Sequence, residues 1–318
     1  MVLNSILLFA GFIILIKGAD YLVGGASSLA KRLQISALTI GLTIVAFGTS
    51  APELTVNLFS SMNGRNDAIF GNVIGSNIFN LLLILGVTGS IYPLVVQKKS
   101  VKYEVPFSLF GVALMWLLVN DSLIFGSDTN ILSRWDAGIL VIGFLFFMVY
   151  IYRSVKTEIS DDEEIKEYTI PLSTIMVIGG MIGLVGGGYL VTENAVAIAE
   201  RFGLSQKLIG LTILAVGTSL PELATSLVAA YKKNTDIAVG NIIGSNIFNI
   251  FFILAINGLV RPLEFSPVLN IDILVLAGGS ILLMVSMFTL NANKLDRWEA
   301  IVLLLSYFVY TWYLIVRN

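Results

Sequence analysis

The chain contains no cysteine and no histidine. The first absence excludes disulfides, thiolate metal sites and cysteine nucleophiles. The second excludes imidazole zinc sites, histidine general bases and histidine proton relays. Charge is also scarce. Charged residues make up 13% and hydrophobic residues 56%, with a mean hydropathy of +0.89, whereas soluble chains carry about 25% charge. The 318 residues would make two soluble domains at ~150 residues each, but half of the charge such a surface needs is missing. The composition is that of an integral membrane protein. A net charge of −2 from 19 basic and 21 acidic residues supplies no basic field for nucleic acid. No positive segment precedes the first apolar run, so a cleaved signal peptide is not expected.

What the chain does have is long apolar runs. A helix needs ~20 mainly apolar residues to cross a bilayer, and ten runs qualify: 3–30, 36–62, 67–91, 103–120, 135–152, 171–202, 207–231, 237–260, 270–290 and 298–316. An even count puts both termini on one side. Twelve basic residues lie in connections on the side away from Met1 and six on its own side, with Lys17 inside the first run. Basic connections stay in the cytoplasm. The expectation is therefore a multi-pass protein of the cell membrane with both termini outside.

Self-comparison finds a repeat. Ile40-Gly41-Leu42-Thr43-Ile44-Val45-Ala46-Phe47-Gly48-Thr49-Ser50-Ala51-Pro52-Glu53-Leu54 returns as Ile209-Gly210-Leu211-Thr212-Ile213-Leu214-Ala215-Val216-Gly217-Thr218-Ser219-Leu220-Pro221-Glu222-Leu223, an offset of 222 − 53 = 169. Gly71-Asn72-Val73-Ile74-Gly75-Ser76-Asn77-Ile78-Phe79-Asn80 returns as Gly240-Asn241-Ile242-Ile243-Gly244-Ser245-Asn246-Ile247-Phe248-Asn249, again at 249 − 80 = 169. Two blocks at one offset mean a duplicated unit. The expected divisions are a first repeat over 1–153 with its motif at 40–80, a solvated acidic linker over 154–170 on the cytoplasmic side, and a second repeat over 171–318 with its motif at 209–249. Five spans per unit is an odd number, so the second copy enters from the opposite face. The expected fold class is thus an all-α polytopic membrane protein, ten helices in two inverted five-helix repeats. Such repeats bring equivalent motifs to the bilayer midplane, where secondary transporters hold substrate.

The motifs carry the chemistry. Glu53 and Glu222 lie inside spans, where an ionised carboxylate costs several kcal/mol and requires a partner. Neither block offers Lys or Arg, so a bound cation is the simplest partner, and two carboxylates neutralise one divalent ion. Pro52 and Pro221 precede the glutamates, with Gly48 and Gly217 a turn earlier, so each helix is expected to break there. Carbonyls freed from residues such as Ala46, Thr49, Ala215 and Thr218 are tolerated at that depth only where they line a cavity or bind something. The candidate ligands are all oxygen: the two glutamates, hydroxyls of Thr49, Ser50, Thr218 and Ser219, and backbone carbonyls. Calcium accepts 6–8 oxygens in flexible geometry, while magnesium demands a tight octahedron. Ser76, Asn80, Ser245 and Asn249 add neutral oxygens suited to sodium. Lys17 and Asp20, three residues apart on one helix, are expected to pair or to snorkel, and Glu193 reads as an interfacial acid, with a gating or accessory group as the alternative.

These residues resemble a known family. The Gly-Thr-Ser-x-Pro-Glu motif ending at Glu53 and at Glu222, each followed by a Gly-Asn-x-Ile-Gly-Ser-Asn block, is similar to the two repeats of the cation/calcium antiporter superfamily, most closely its prokaryotic sodium/calcium exchangers. The resemblance implies alternating access, with sodium entering while calcium is extruded. It implies a central calcium site from Glu53, Glu222, Thr49 and Thr218. One flanking sodium site would use Ala46, Thr49, Ser50, Glu53 and Ser76, and its mirror Ala215, Thr218, Ser219, Glu222 and Ser245. A middle position comes from Asn80 and Asn249. The best-known exchangers carry Asp at one of those two, so the site here holds two formal negative charges instead of three. The transported ions would be Ca2+ and Na+ with no resident cofactor, the partners the lipid bilayer and these ions, H+ or K+ being the alternative coupling ions, and the state a monomer. A proton/calcium antiporter, a potassium-dependent exchanger of the same fold and a calcium channel are the competing readings. An enzyme is not expected, because no Ser-Lys, histidine-based or paired-aspartate site is present.

Overall fold

The computed structural model describes residues 2–98, 100–154, 167–202, 215–289 and 293–317. They are mostly helical. Eight helices are long and apolar enough to cross a membrane: α1 (Val2–Leu33), α4 (Asn66–Ile91), α5 (Ser100–Val119), α6 (Arg134–Ser154), α7 (Ile170–Arg201), α9 (Thr235–Val260), α10 (Pro267–Ser286) and α11 (Arg297–Arg317). A ninth span is a bent pair, α2 (Ala37–Thr49) and α3 (Ala51–Met62), meeting at 45°. The expected span over 207–231 is described only from residue 215 onward, including α8 (Leu220–Tyr231). Its residues 207–214, with the motif residues Ile209 to Leu214, lie outside the described residues, as does most of the acidic linker.

Two compact units divide the chain: Met1–Pro52 with Ser154–Asn241, and Glu53–Arg153 with Ile242–Asn318. Each draws on both halves of the sequence.

In the first unit, α1 and α7 pack through glycine. A Cβ on Gly18 would lie 2.7 Å from the backbone nitrogen of Leu184, one on Gly180 2.6 Å from that of Leu22, and one on Gly187 2.6 Å from that of Leu15. Small residues allow this approach where no hydrophobic effect drives helices together. The contacts run in opposite directions along the two helices, from Gly25 against Ser173 to Gly11 against Val191, so the pair is antiparallel. The end of α1 is tied to the chain entering α7: Lys31 Nζ is 3.0 Å from Glu167, and the Ser28 hydroxyl accepts from the Tyr168 N–H. Lys31 holds the exposed Glu167 carboxyl below the usual carboxylate range, first through a hydrogen bond and then through its charge. Asp20 does not pair with Lys17. Its partner is Lys232, at 2.6 Å, because the end of α8 brings an ammonium closer than the same helix can.

In the second unit, Phe251 fills a slot between α5 and α6. A Cβ on Gly111 or Gly143 would come within 2.5 Å of its ring, which stacks on Phe107 at 4.8 Å. Short strands tie the connections together. β1 (Leu94–Val95) pairs antiparallel with β4 (Lys294–Leu295), and β2 (Ile131–Leu132) with β3 (Leu263–Glu264). Asn120 and Asn270 exchange amide hydrogen bonds at 2.9 and 2.7 Å. Buried Asp272 binds Arg317 at 3.0 Å and accepts from the Tyr310 hydroxyl at 3.0 Å, which fixes α11 to α10. Among the described residues of both units, four π-helical turns interrupt the spans, at Gly41–Val45, Phe79–Ile84, Ser100–Glu104 and Asn249–Leu254. None was expected, since one extra residue in a turn leaves no mark in hydropathy.

Candidate functional site

Both Pro-Glu motifs open a helix. The backbone leaves helical geometry at Ser50 (φ −85°, ψ 5°) and at the equivalent Ser219 (φ −94°, ψ 8°). Proline and glutamate then occupy the first turn of α3 and of α8. Proline costs nothing there, because its missing N–H would have had no helical partner. The expected break is present, but the prolines stand in the opening turn of a new helix and not in a helix interior. Nor does the break free the Ala46 carbonyl, which accepts the Ser50 N–H at 3.0 Å and the Thr49 hydroxyl at 3.2 Å. The glycines one turn earlier have a packing duty too: a Cβ on Gly48 would meet Met181 at 2.7 Å, and one on Gly217 would run into Thr192.

Glu53 and Glu222 are both 1% exposed. A carboxylate in a first turn gains from the helix dipole about 0.3–1 kcal/mol, up to ~2 when partly buried. Burying the charge costs more than that, several kcal/mol. The dipole therefore helps to place the charge without offsetting the cost of burying it.

Within the first unit, the Ser50 hydroxyl donates to Glu222 Oε1 at 3.0 Å. The Thr49 hydroxyl, besides bonding back to its own helix, reaches Asn241 Oδ1 at 3.0 Å. Asn241 Nδ2 in turn donates to the Ser226 hydroxyl at 3.0 Å and to the Glu222 carbonyl at 3.4 Å. Thr49, Ser50 and Glu222 are thus brought together by α9. Ser219 is buried, Thr218 is half-buried, and Ala215 begins the short turn Ala215–Gly217.

In the second unit, Ser76 with Asn80 on α4 and Ser245 with Asn249 on α9 are buried pairs one helical turn apart. Asn80 Nδ2 donates to Asn246 Oδ1 at 3.0 Å, and Asn249 Nδ2 to Asn77 Oδ1 at 2.8 Å. The oxygens Asn80 Oδ1 and Asn249 Oδ1 are buried and have no hydrogen-bond partner among the described residues. Such atoms are costly in a folded interior and call for a water, a ligand or an ion. Among the described residues no group of three or more acidic side chains gathers, so an ion held here relies largely on neutral oxygen. Glu193 is exposed.

Asn57, Asn72, Asn77, Ser226, Asn241 and Asn246 were not singled out as site residues. Asn57 Nδ2 donates to Asn72 Oδ1 at 2.9 Å, and Ser226 and Asn241 are bonded at the same two offsets, 226 − 57 = 169 and 241 − 72 = 169. The signal that finds Asn72, Asn77, Asn241 and Asn246 is the repeated block itself, where both asparagines of Gly-Asn-x-Ile-Gly-Ser-Asn recur with the named ligands, whereas Asn57 and Ser226 lie outside both blocks.

Comparison with known proteins bears on the family and the fold. The family model described as sodium/calcium exchanger protein matches residues 3–153 and 172–316. The putative antiporter CaxA of Alkalimonas amylolytica is 36% identical, over 99% of each chain. The sodium/calcium exchanger MaX1 of Methanosarcina acetivorans is 30% identical, over 96% of each. The solved sodium-calcium exchanger NCX_Mj superposes with a TM-score of 0.83 at 31% identity, covering 97% of each chain.

Proposed function

The chain belongs to the sodium/calcium exchanger family, transporters and not enzymes, and from that membership we propose that it exchanges sodium for calcium across the cell membrane by alternating access. Calcium is held by Glu53 and Glu222 with Thr49 and Thr218. Sodium uses the same carboxylates with Ala46, Thr49, Ser50 and Ser76, or with Ala215, Thr218, Ser219 and Ser245, and Asn80 and Asn249 supply the middle position. The observation that carries this reading is the pair of buried amide oxygens on Asn80 and Asn249 that meet no partner among the described residues, in a chain whose two motif carboxylates are themselves buried.

The mechanism follows from competition. Both ions need Glu53 and Glu222, so the two loads are not carried together. A switch of access is permitted only when the carboxylates are compensated, because an uncompensated pair would cross a low-dielectric interior at large cost.

We also assign ten spans in inverted repeats, comprising 1–153 and 171–318, with the termini outside and the linker inside. Several pairings support this topology. Helices α1 and α7, the first of each repeat, lie antiparallel. Strands β1 and β3 hold equivalent positions, 263 − 94 = 169, and each pairs with the later strand of the other repeat. The β1–β4, β2–β3, Asn120–Asn270 and Lys31–Glu167 pairings each join connections assigned to one side. Calcium and sodium ions and lipid are its partners, and no cofactor is required.

The test loads proteoliposomes with sodium, dilutes them into sodium-free medium and follows radioactive calcium uptake. Uptake that requires internal sodium is expected. Uptake driven by a pH gradient without sodium would replace the coupling ion with a proton, an added requirement for potassium would make the exchange potassium-dependent, and uptake without any counter-ion would make the protein a channel.

A further inference from the structure

Asn80 and Asn249 are neutral, and an amide has two ends of opposite character: an oxygen that binds a cation and an NH2 that repels it. Which end faces the ion must therefore be fixed by something else. The second unit contains a chain of hydrogen bonds that fixes it, beginning at backbone. The Asn246 carbonyl can only accept, so the Asn77 side chain turns its Nδ2 toward it, at 3.3 Å. The Asn77 carbonyl receives Asn246 Nδ2 in the same way at 3.5 Å. Each of these amides then has its oxygen on the other end. Asn246 Oδ1 accepts Asn80 Nδ2 at 3.0 Å, and Asn77 Oδ1 accepts Asn249 Nδ2 at 2.8 Å. With their NH2 ends engaged, Asn80 and Asn249 present only oxygen, in the buried positions where no described residue meets it. The arrangement is reciprocal, with partners at 246 − 77 = 169. Asn80 lies in the π-helical turn Phe79–Ile84 and Asn249 begins the turn Asn249–Leu254. Turns of this kind recur at functional sites, where the extra residue re-aims side chains.

We propose that Asn77 and Asn246 are positioning residues that set the polarity of the middle ion position: each transmits the acceptor character of a backbone carbonyl through its own amide to Asn249 and Asn80, so that two neutral side chains act as oxygen-only ligands. The inference rests on the reading of Asn80 and Asn249 as ion ligands. It accounts for how an uncharged position stays selective for cations without an aspartate.

The logic supplies its own control. A carboxylate has oxygen at both ends, so an aspartate at position 80 needs no orienting. Sodium-driven calcium uptake is measured in proteoliposomes for the unaltered protein, Asn246→Ala, Asn80→Asp and the double variant, with thermal unfolding in detergent followed in parallel. Asn246→Ala is expected to raise the KM for calcium about tenfold in the unaltered background, the scale of one misdirected buried hydrogen bond, and less than about twofold in the Asn80→Asp background. A KM increase of the same factor in both backgrounds overturns the inference and leaves the ligand reading intact, since it marks Asn246 as a packing residue only. An Asn80→Asp variant with unaltered KM for both calcium and sodium removes Asn80 from the ion path and overturns both. If Asn246→Ala does not fold, the mirror pair, Asn77→Ala with and without Asn249→Asp, reads the same comparison.

Discussion

At the scale of single residues, the proposed function rests on two buried carboxylates that are more expensive to bury than their helix ends can offset. Glu53→Gln and Glu222→Gln retain shape and remove charge, so either is expected to abolish calcium uptake while leaving thermal unfolding unchanged or slightly raised. Wild-type uptake rates in either variant would show that the ion does not depend on that carboxylate. The glutamates, and the Thr and Ser beside them, were legible in the sequence because a charge inside an apolar run is conspicuous and its repetition at a fixed offset is not accidental. Asn241 was legible as a member of the repeated block, but its role was not. Its role is to join Thr49 to the Glu222 backbone through both ends of one amide, a three-body relation that no spacing along the chain encodes. Lys17 and Asp20 show the converse, since a favourable local spacing yielded to a partner more than two hundred residues away.

At the scale of elements, glycine decides which helices can touch. Gly179 and Gly180 are neighbours on α7, yet a Cβ on Gly179 meets nothing within 4 Å, whereas one on Gly180 would press on the Leu22 backbone at 2.6 Å. Adding a methyl group in a helix interior gains about 0.5–1 kcal/mol from backbone entropy, while overpacking costs about 1–3 kcal/mol. Gly179→Ala is therefore expected to hold or raise the thermal unfolding temperature in detergent, and Gly180→Ala to lower it. Equal shifts in both would mean that α1 and α7 are not held by this seam. Hydropathy gave the spans to within a few residues at most ends, because apolar length is what a bilayer selects. It was blind to the helix starts at Ala51 and Leu220 as starts, and to the π-helical turns, since both depend on backbone hydrogen bonding that composition does not record. Gly75 has open space around its Cβ position, whereas a tight crossing falls at Gly41 and Gly240, where a Cβ on either would lie within 3.2 Å of the other's Cα.

At the scale of the whole molecule, the absence of cysteine makes orientation directly measurable, because any cysteine introduced is the only one. Thr129 and Lys98 are both exposed and lie in connections assigned to opposite sides. Thr129→Cys is expected to react with a membrane-impermeant maleimide on intact cells, and Lys98→Cys only after permeabilisation. The reverse pattern would invert the assignment drawn from the basic residues. Two blocks at one offset were readable in the sequence, but the compact units were not, because each unites early and late stretches of chain. That interleaving bears on how the protein comes into being. A ribosome delivers the chain in order, and when residue 153 has emerged neither unit is complete: one awaits the stretch to Asn241 and the other the stretch to Asn318. Leu94 likewise waits for Leu295 before its strand can pair. Met1–Pro52 therefore waits until the chain has reached Asn241, and Glu53–Arg153 until it has reached Asn318, and a message cut short at its midpoint would yield part of each unit and the whole of neither.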